Sequence, residues 1–202
     1  MDTKLEMFLE YDRWAELFPM FRKKGIDRQV LSMLAQPQYR SGAAAMIADG
    51  QYHVDPPREA IIPKDDGGER KIYILDDLDR CIMAVISSVY TDLYQGMIHP
   101  SCKSYQHGLS VPHILHGLMK ETSYGGYKVD LSKYFDSVNR DTINKMLQSM
   151  NTGSPIDTVL YEFYNTDEII RDREICRHFK SLAQGCSFST LLANICLYER
   201  WS

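Results

Sequence analysis

Residues 78 to 93 constrain the fold more than any other stretch. Leu78, Ile82, Val85, Ile86, Val89 and Leu93 recur at the three- and four-residue spacing of an α-helix. Asp76 or Asp77, just before them, supplies an N-cap. A stripe of branched and long apolar side chains on one helix has to be covered, so the remaining elements must pack around it.

Those elements can be read from apolar spacing and from Gly and Pro. Leu5, Phe8, Leu9 and Phe21 lie in a charged stretch that reads as one helix ended by Gly25, and a second helix follows Asp27. Gly50, Pro56, Pro57 and Pro63 then break the helical pattern, so residues 50 to 62 are expected to be extended. "EAIIP" and "RKIYIL" read as strands joined by the turn residues "KDDGG". Ser110 caps a helix with Ile114, Leu115 and Leu118, Gly125-Gly126 end it, and "YKVDL" (127 to 131) begins a strand. Asn139 caps the next helix, where Ile143, Met146, Leu147 and Met150 repeat at i, i+3, i+4 and i+7. The loop "NTGSP" leads to an apolar and aromatic helix over 156 to 164, a hairpin around 171 to 173, and a helix over 188 to 198. Helices mixed with short strands indicate an α+β class.

A chain that is 44% hydrophobic and 25% charged is an ordinary globular composition. No apolar run reaches the roughly 20 residues of a membrane helix, and the start lacks a secretory layout, so a cytoplasmic protein that does not engage membranes is expected. Cysteines 81, 102, 176, 186 and 196 include no C-x-x-C pair and read as reduced thiols. The net charge of −4 opposes gripping nucleic acid by overall charge, so any such binding must use local Lys and Arg.

The stretch "YGGYKVDLSKYFDSV" carries two carboxylates with different prospects. Asp130 ends a short apolar strand, where hard carboxylate oxygens suit Mg²⁺; caps and turns use Asp there as well. Asp136 precedes the helix carrying Ile143 and reads as N-terminal capping.

Several blocks in order resemble the reverse transcriptases, in particular the bacterial group that includes group II intron and related retroelement enzymes. "GQYHVDPPREAIIPKDDGGERKIYI" is similar to the fingers segment, "DR" at 79 and 80 to the opening of the next helix, and "SCKSYQHGLS" to a Ser-Tyr-Gly block. "VDLSKYFDSV" resembles the first palm motif, and "QGCSFSTLLANICL" resembles Q-G-x-x-x-S-P-L-L-A-N-I-x-L, agreeing at Gln184, Gly185, Ser189, Leu191, Leu192, Ala193, Asn194, Ile195 and Leu197. The resemblance implies right-hand polymerase fingers and a partial palm, with helices packed on short antiparallel sheets. It divides the chain into an N-terminal helical extension (1–49), fingers (50–115) and partial palm (116–202).

By the same resemblance Asp130 is the first catalytic aspartate and a ligand of two Mg²⁺ ions, assisted by the Leu131 carbonyl. Phe135 takes the steric-gate position under the sugar; as a residue it equally suits a core. Lys64 and Arg70 correspond to the cations that hold the triphosphate, and Gln184 to the glutamine beside the nucleotide and template base, with Gly185 allowing close backbone approach. Arg80 and Lys103 are weaker candidates for backbone phosphates. The implied partners are an RNA template, a DNA primer and a deoxynucleoside triphosphate, and homo-oligomerisation is left open.

The family's Tyr-x-Asp-Asp motif does not occur up to Ser202, and no thumb is present. "YILDD" (73 to 77) lies upstream and reads as a strand running into a capped helix, not as that motif. With two of three metal-binding aspartates missing, the 202 residues alone are expected to be inactive. Thr190 stands where Pro is usual, and the Phe-Arg that often follows the Gly of "SYQHGLS" is lacking. His113 and His116, without a third ligand, read as surface or satisfied histidines, and Tyr161 and Tyr164 as packing residues. The competing reading is a non-catalytic relative, a nucleic-acid-binding or protein-interaction module. Keeping Asp130, Phe135, Lys64, Arg70 and Gln184 together favours an active parent.

Overall fold

The computed structural model describes residues 2–64, 67–104, 111–120, 127 and 129–201, with side chains omitted at 118 and 198–201. The N-terminal region contains four helices: α1 (Thr3–Leu9), α2 (Tyr11–Lys23), α3 (Arg28–Leu34) and α4 (Pro37–Ala48). Where one helix was expected before Gly25 there are two, broken at Glu10 (φ −55°, ψ 121°). The break is stabilised by α2 side chains that serve the end of α1. Trp14 Nε1 donates to the Phe8 carbonyl at 2.6 Å and Arg13 Nε to that of Met7 at 3.0 Å, while the Phe8 and Trp14 rings meet edge to face. Pro19, which apolar spacing passes over, sits inside α2. Asp27 caps α3 as expected, accepting from Gln29 N–H at 2.6 Å. A second break at 35–36 is sealed the same way, with buried Arg40 donating to the carbonyls of Leu34 and Ala35.

Two hairpins follow in the chain and join into one sheet. β1 (Arg58–Pro63) and β2 (Glu69–Ile74) pair antiparallel, with Ile62 opposite Arg70 and Glu59 opposite Tyr73. β3 (Glu168–Arg171) and β4 (Glu174–Arg177) form the expected second hairpin, whose turn residues Asp172 and Arg173 both have positive φ. β1 and β3 run parallel, giving the order β2-β1-β3-β4, so the sheet is mixed.

The helix expected over 78 to 93 is α5 (Asp77–Tyr94), capped by Asp76 and buried along Cys81–Ser87, Val89 and Tyr90. Burial of each large apolar side chain contributes about 1.5–3 kcal/mol. α10 (Ser187–Trp201) lies against it, joined by α8 (Arg140–Ser149) and α9 (Pro155–Asn165) in the same core. α9 starts in a capping box between Ser154 and Asp157. The core also takes Phe8, Trp14 and Phe21 from the N-terminal helices. Lys4 of α1, buried to 2% exposure, pairs with Asp157 and donates to the Met150 carbonyl at 2.8 Å.

One expected element is absent. Residues 127 and 129–131 form no strand, and Tyr127, Val129 and Leu131 are exposed. Among the described residues no strand lies beside them to take up their backbone groups, and an alternating pattern does not form a strand alone. The helix α6 (Val111–Leu118) forms as expected, whereas Ser110 and Gly125-Gly126 lie outside the described residues. No described helix is long and apolar enough to cross a membrane.

Candidate active site

Asp130 is exposed on the irregular segment ahead of α7 (Tyr134–Ser137), and its carboxylate makes no ion pair or hydrogen bond with the described residues. Such a carboxylate, with the main-chain oxygen of Leu131 beside it in sequence, is a donor set of the hard type that suits Mg²⁺. Among the described residues no other carboxylate groups with it in a metal-ligating cluster, so the fit extends to one side of an ion.

The described residues contain one acidic cluster elsewhere: oxygens of Asp55, Asp76 and Asp79 lie within 4.8 Å of one another. The fold already uses it. Asp79 accepts from the Tyr52 hydroxyl and from Asp55 N–H at 2.8 Å, and Asp76 accepts from Asp79 N–H at 2.8 Å. Burial pushes the Asp79 carboxyl up to about 6, against the pull of those two donors. The Tyr52 and Asp79 motif residues thus tie the extended segment to α5. "YILDD" is likewise β2 running into the α5 cap, as expected.

Short α7 is fixed by its aromatic pair. Tyr134 donates to the Ala193 carbonyl of α10 at 2.8 Å, its ring meets that of Phe135 edge to face, and the Phe135 carbonyl accepts from Leu182 N–H at 3.2 Å. Phe135 is half-buried against the core. Asp136 does not cap α8, a role taken by Asn139, whose Oδ1 accepts from Thr142 N–H at 2.8 Å. Asp136 is exposed instead on a cleft of about 450 Å³ between the β1–β2 hairpin and α7, with Lys71, Tyr73, Lys133 and Lys180. Asp136 stands three positions ahead of the cap, and the chain turns extended at Val138 before α8 begins. Burial pushes the Lys180 ammonium down to about 8.

Lys64 and Arg70 are exposed on the β1–β2 hairpin, and their side chains have no partner among the described residues. Strand alternation sets Arg70 on the face opposite Lys71 and Tyr73. Gln184 is half-buried, its carboxamide has no partner among the described residues, and its main-chain carbonyl accepts from Tyr73 N–H of β2 at 2.7 Å. Gly185 has φ +111°, and a Cβ placed there would lie 2.6 Å from the Tyr73 carbonyl oxygen. Its close approach is therefore to the chain's own strand. This brings Gln184 and the hairpin together, which sequence spacing could not reveal. Arg80 and Lys103 are engaged internally, Arg80 with Asp77 and the Lys24 carbonyl and Lys103 with the Pro100 carbonyl. Tyr164 is buried and bonded to Ser189, Tyr161 is exposed on α9, and His113 and His116 are exposed on α6.

Residues 62–200 match the family model described as reverse transcriptase (RNA-dependent DNA polymerase). The chain belongs to the reverse transcriptase family. Among curated proteins this reverse transcriptase chain is similar to the "Putative COX1/OXI3 intron 1 protein" of Saccharomyces cerevisiae, 22% identical over 161 residues covering 77% of this chain and 19% of that protein. Among solved structures it is similar to chains of a "Partial Cas6-RT-Cas1--Cas2 complex" and a "Cas6-RT-Cas1--Cas2 complex". Both are 20% identical with a TM-score of 0.62 over 98% of this chain, a likeness of fold. The chain spans about a fifth of the curated relative, and 34% and 21% of the two structural neighbours.

Proposed function

We propose that this chain carries the fingers and part of the palm of an RNA-templated DNA polymerase acting by two-metal nucleotidyl transfer. Residues 1–49 form an N-terminal extension, 50–115 the fingers and 116–202 the partial palm. Asp130 and the Leu131 carbonyl would hold Mg²⁺, which when bound activates a primer hydroxyl and neutralises charge on the transferred phosphate. Lys64 and Arg70 bind the triphosphate, Arg70 by a two-pronged guanidinium contact and Lys64 as a point charge. Gln184 orients the nucleotide against the template base, and the Phe135 ring excludes a 2′-hydroxyl. The partners are an RNA template, a DNA primer and a deoxynucleoside triphosphate. With Asp130 as its sole catalytic carboxylate, the 202-residue chain binds metal weakly at most and does not extend primers alone.

The observation that carries this reading is the hydrogen bond between Tyr73 and Gln184, which ties the hairpin bearing Lys64 and Arg70 to the glutamine turn within the family-matched region. Titrating a fluorescent dGTP analogue with Mg²⁺ into the chain tests it. Saturable binding that weakens about tenfold in each of Lys64→Ala and Arg70→Ala is expected, the loss of one charge-assisted contact. Binding indifferent to both substitutions contradicts the assignment.

A further inference from the structure

β2 is one of the two outer strands of the sheet, and an outer strand leaves every second N–H and C=O unpaired unless something covers it. Here the cover is the Gln184–Gly185 turn. Tyr73 N–H, pointing away from β1, reaches the Gln184 carbonyl at 2.7 Å. One residue on, Gly185 lies so close that a Cβ would stand 2.6 Å from the Tyr73 oxygen and 3.6 Å from its carbon and nitrogen. Real side chains do not approach a backbone oxygen so closely, and φ +111° is a glycine conformation.

The opposite end of the same cross-strand pair is also fixed. Glu59, facing Tyr73 across the ladder, has a side chain only 7% exposed. Arg171 of β3 grips it with two contacts at 2.8 and 3.0 Å, and Lys71 adds a third at 3.3 Å. The Glu59–Tyr73 pair is therefore held on both sides, by β3 and by the glutamine turn. Beyond it, among the described residues, the hairpin has only its own ladder: Ile61, Ile62, Lys64, Glu69 and Arg70 are exposed.

We infer that Gly185 and the Tyr73 main chain are positioning elements that hold β2 and Gln184 as one body, setting the distance between Arg70 and Gln184. Arg70 lies three residues along β2 from the clamp, about 10 Å at the rise of a strand. The clamp acts as a ruler for a ligand that bridges the two, with phosphates at the cations and a nucleoside at the glutamine. It does not matter to a ligand that meets the cations alone. Bending of the hairpin is confined to its outer half. This inference rests on the nucleotide-binding reading above, but separates from it experimentally.

The test compares magnesium dGTP with magnesium pyrophosphate on the same chain, by calorimetry, for wild type, Gly185→Ala and Arg171→Met. Hydrogen exchange at the Tyr73 amide is read in parallel, and circular dichroism checks the fold. In Gly185→Ala the Tyr73 amide loses protection and dGTP binds about tenfold more weakly, whereas pyrophosphate affinity stays within about twofold. Arg171→Met loosens the other end without touching the turn and gives a smaller loss in the same direction, which keeps the test decisive if Gly185→Ala fails to fold. If the variants weaken both ligands equally, or neither, the ruler is wrong although the nucleotide reading stands. If wild type binds neither ligand, or Tyr73 exchanges freely in wild type, the inference falls, and in the first case the reading falls with it.

Discussion

Lys4→Met removes a buried cation whose partners span the molecule. Its ammonium pairs with Asp157, donates to the Met150 carbonyl at 2.8 Å and to the Tyr90 hydroxyl at 3.3 Å, and lies 4.4 Å from the Tyr90 ring centre. The side chains of Lys4 and Asp157 are 3% and 9% exposed. Breaking a buried pair by removing one partner costs about 3–5 kcal/mol, because the other charge stays desolvated. Asp157 keeps donors from Tyr90, Thr152 and Ser154, which places the cost near the lower end, about 3 kcal/mol. Burial alone would raise the Asp157 carboxyl, but hydrogen bonds led by Lys4 outweigh it and hold it below the usual carboxylate range. A lowered acid contributes stability that is present above its unfolded value and lost as pH falls through the folded one. Guanidinium unfolding of Lys4→Met, Asp157→Asn and the double variant, at pH 7 and in acid, measures this. The coupling should exceed about 1 kcal/mol at pH 7 and shrink in acid. A single-variant cost under about 1 kcal/mol would refute the claim that α1 is part of the same core.

Three further outcomes are expected. The raised Asp79 carboxyl favours the folded state below its unfolded value near pH 4, and that advantage, ~3 kcal/mol, is lost as pH rises through about 6; urea unfolding across pH 4 to 7 should show this slope in wild type and a flatter one in Asp79→Asn. Asn139→Ala should cost about 1 kcal/mol as a lost cap, and Asp136→Asn less than about 0.5 kcal/mol, by thermal or chemical unfolding; the reverse order would return the capping role to Asp136. In a chain continuing through the Tyr-x-Asp-Asp motif, Phe135→Ala should ease ribonucleotide incorporation in a primer-extension assay and cost about 2 kcal/mol of stability, given a half-buried ring; unchanged sugar discrimination would leave Phe135 a packing residue only.

Elements with strong local signals were legible from the residues alone. Apolar period and an acidic cap located α5, Pro and Gly bounded the β1–β2 hairpin, and Asn139 marked the start of α8. What escaped depends on particular side-chain and main-chain contacts, some local and some distant in sequence, that apolar period does not encode. The breaks at Glu10 and at 35–36 are sealed by Trp14, Arg13 and Arg40 reaching back to helix carbonyls, and spacing rules do not weigh such bonds. Among the described residues the "YKVDL" segment forms no strand, because a strand needs a neighbour as well as a suitable face and none lies beside it there. Part of the candidate site was equally hidden. The resemblance marks Gly185 as a point of close backbone approach, but what it approaches, the Tyr73 oxygen 112 positions upstream by the residue numbers, only the fold shows. Asp79 reads as a first-turn acid, and only the fold shows it buried under Tyr52.

The central claim is that the Asp130 carboxylate belongs to the chemistry while Asp136 does not. Primer extension on an RNA template with Mg²⁺ tests it in a chain that continues through the Tyr-x-Asp-Asp motif, with Asp130→Asn and Asp136→Asn compared at equal folded concentration. The account predicts that Asp130→Asn abolishes extension, since one ligand charge is lost without a change of shape, and that Asp136→Asn retains most of it. Equal loss from both substitutions, or full activity in Asp130→Asn, would contradict it.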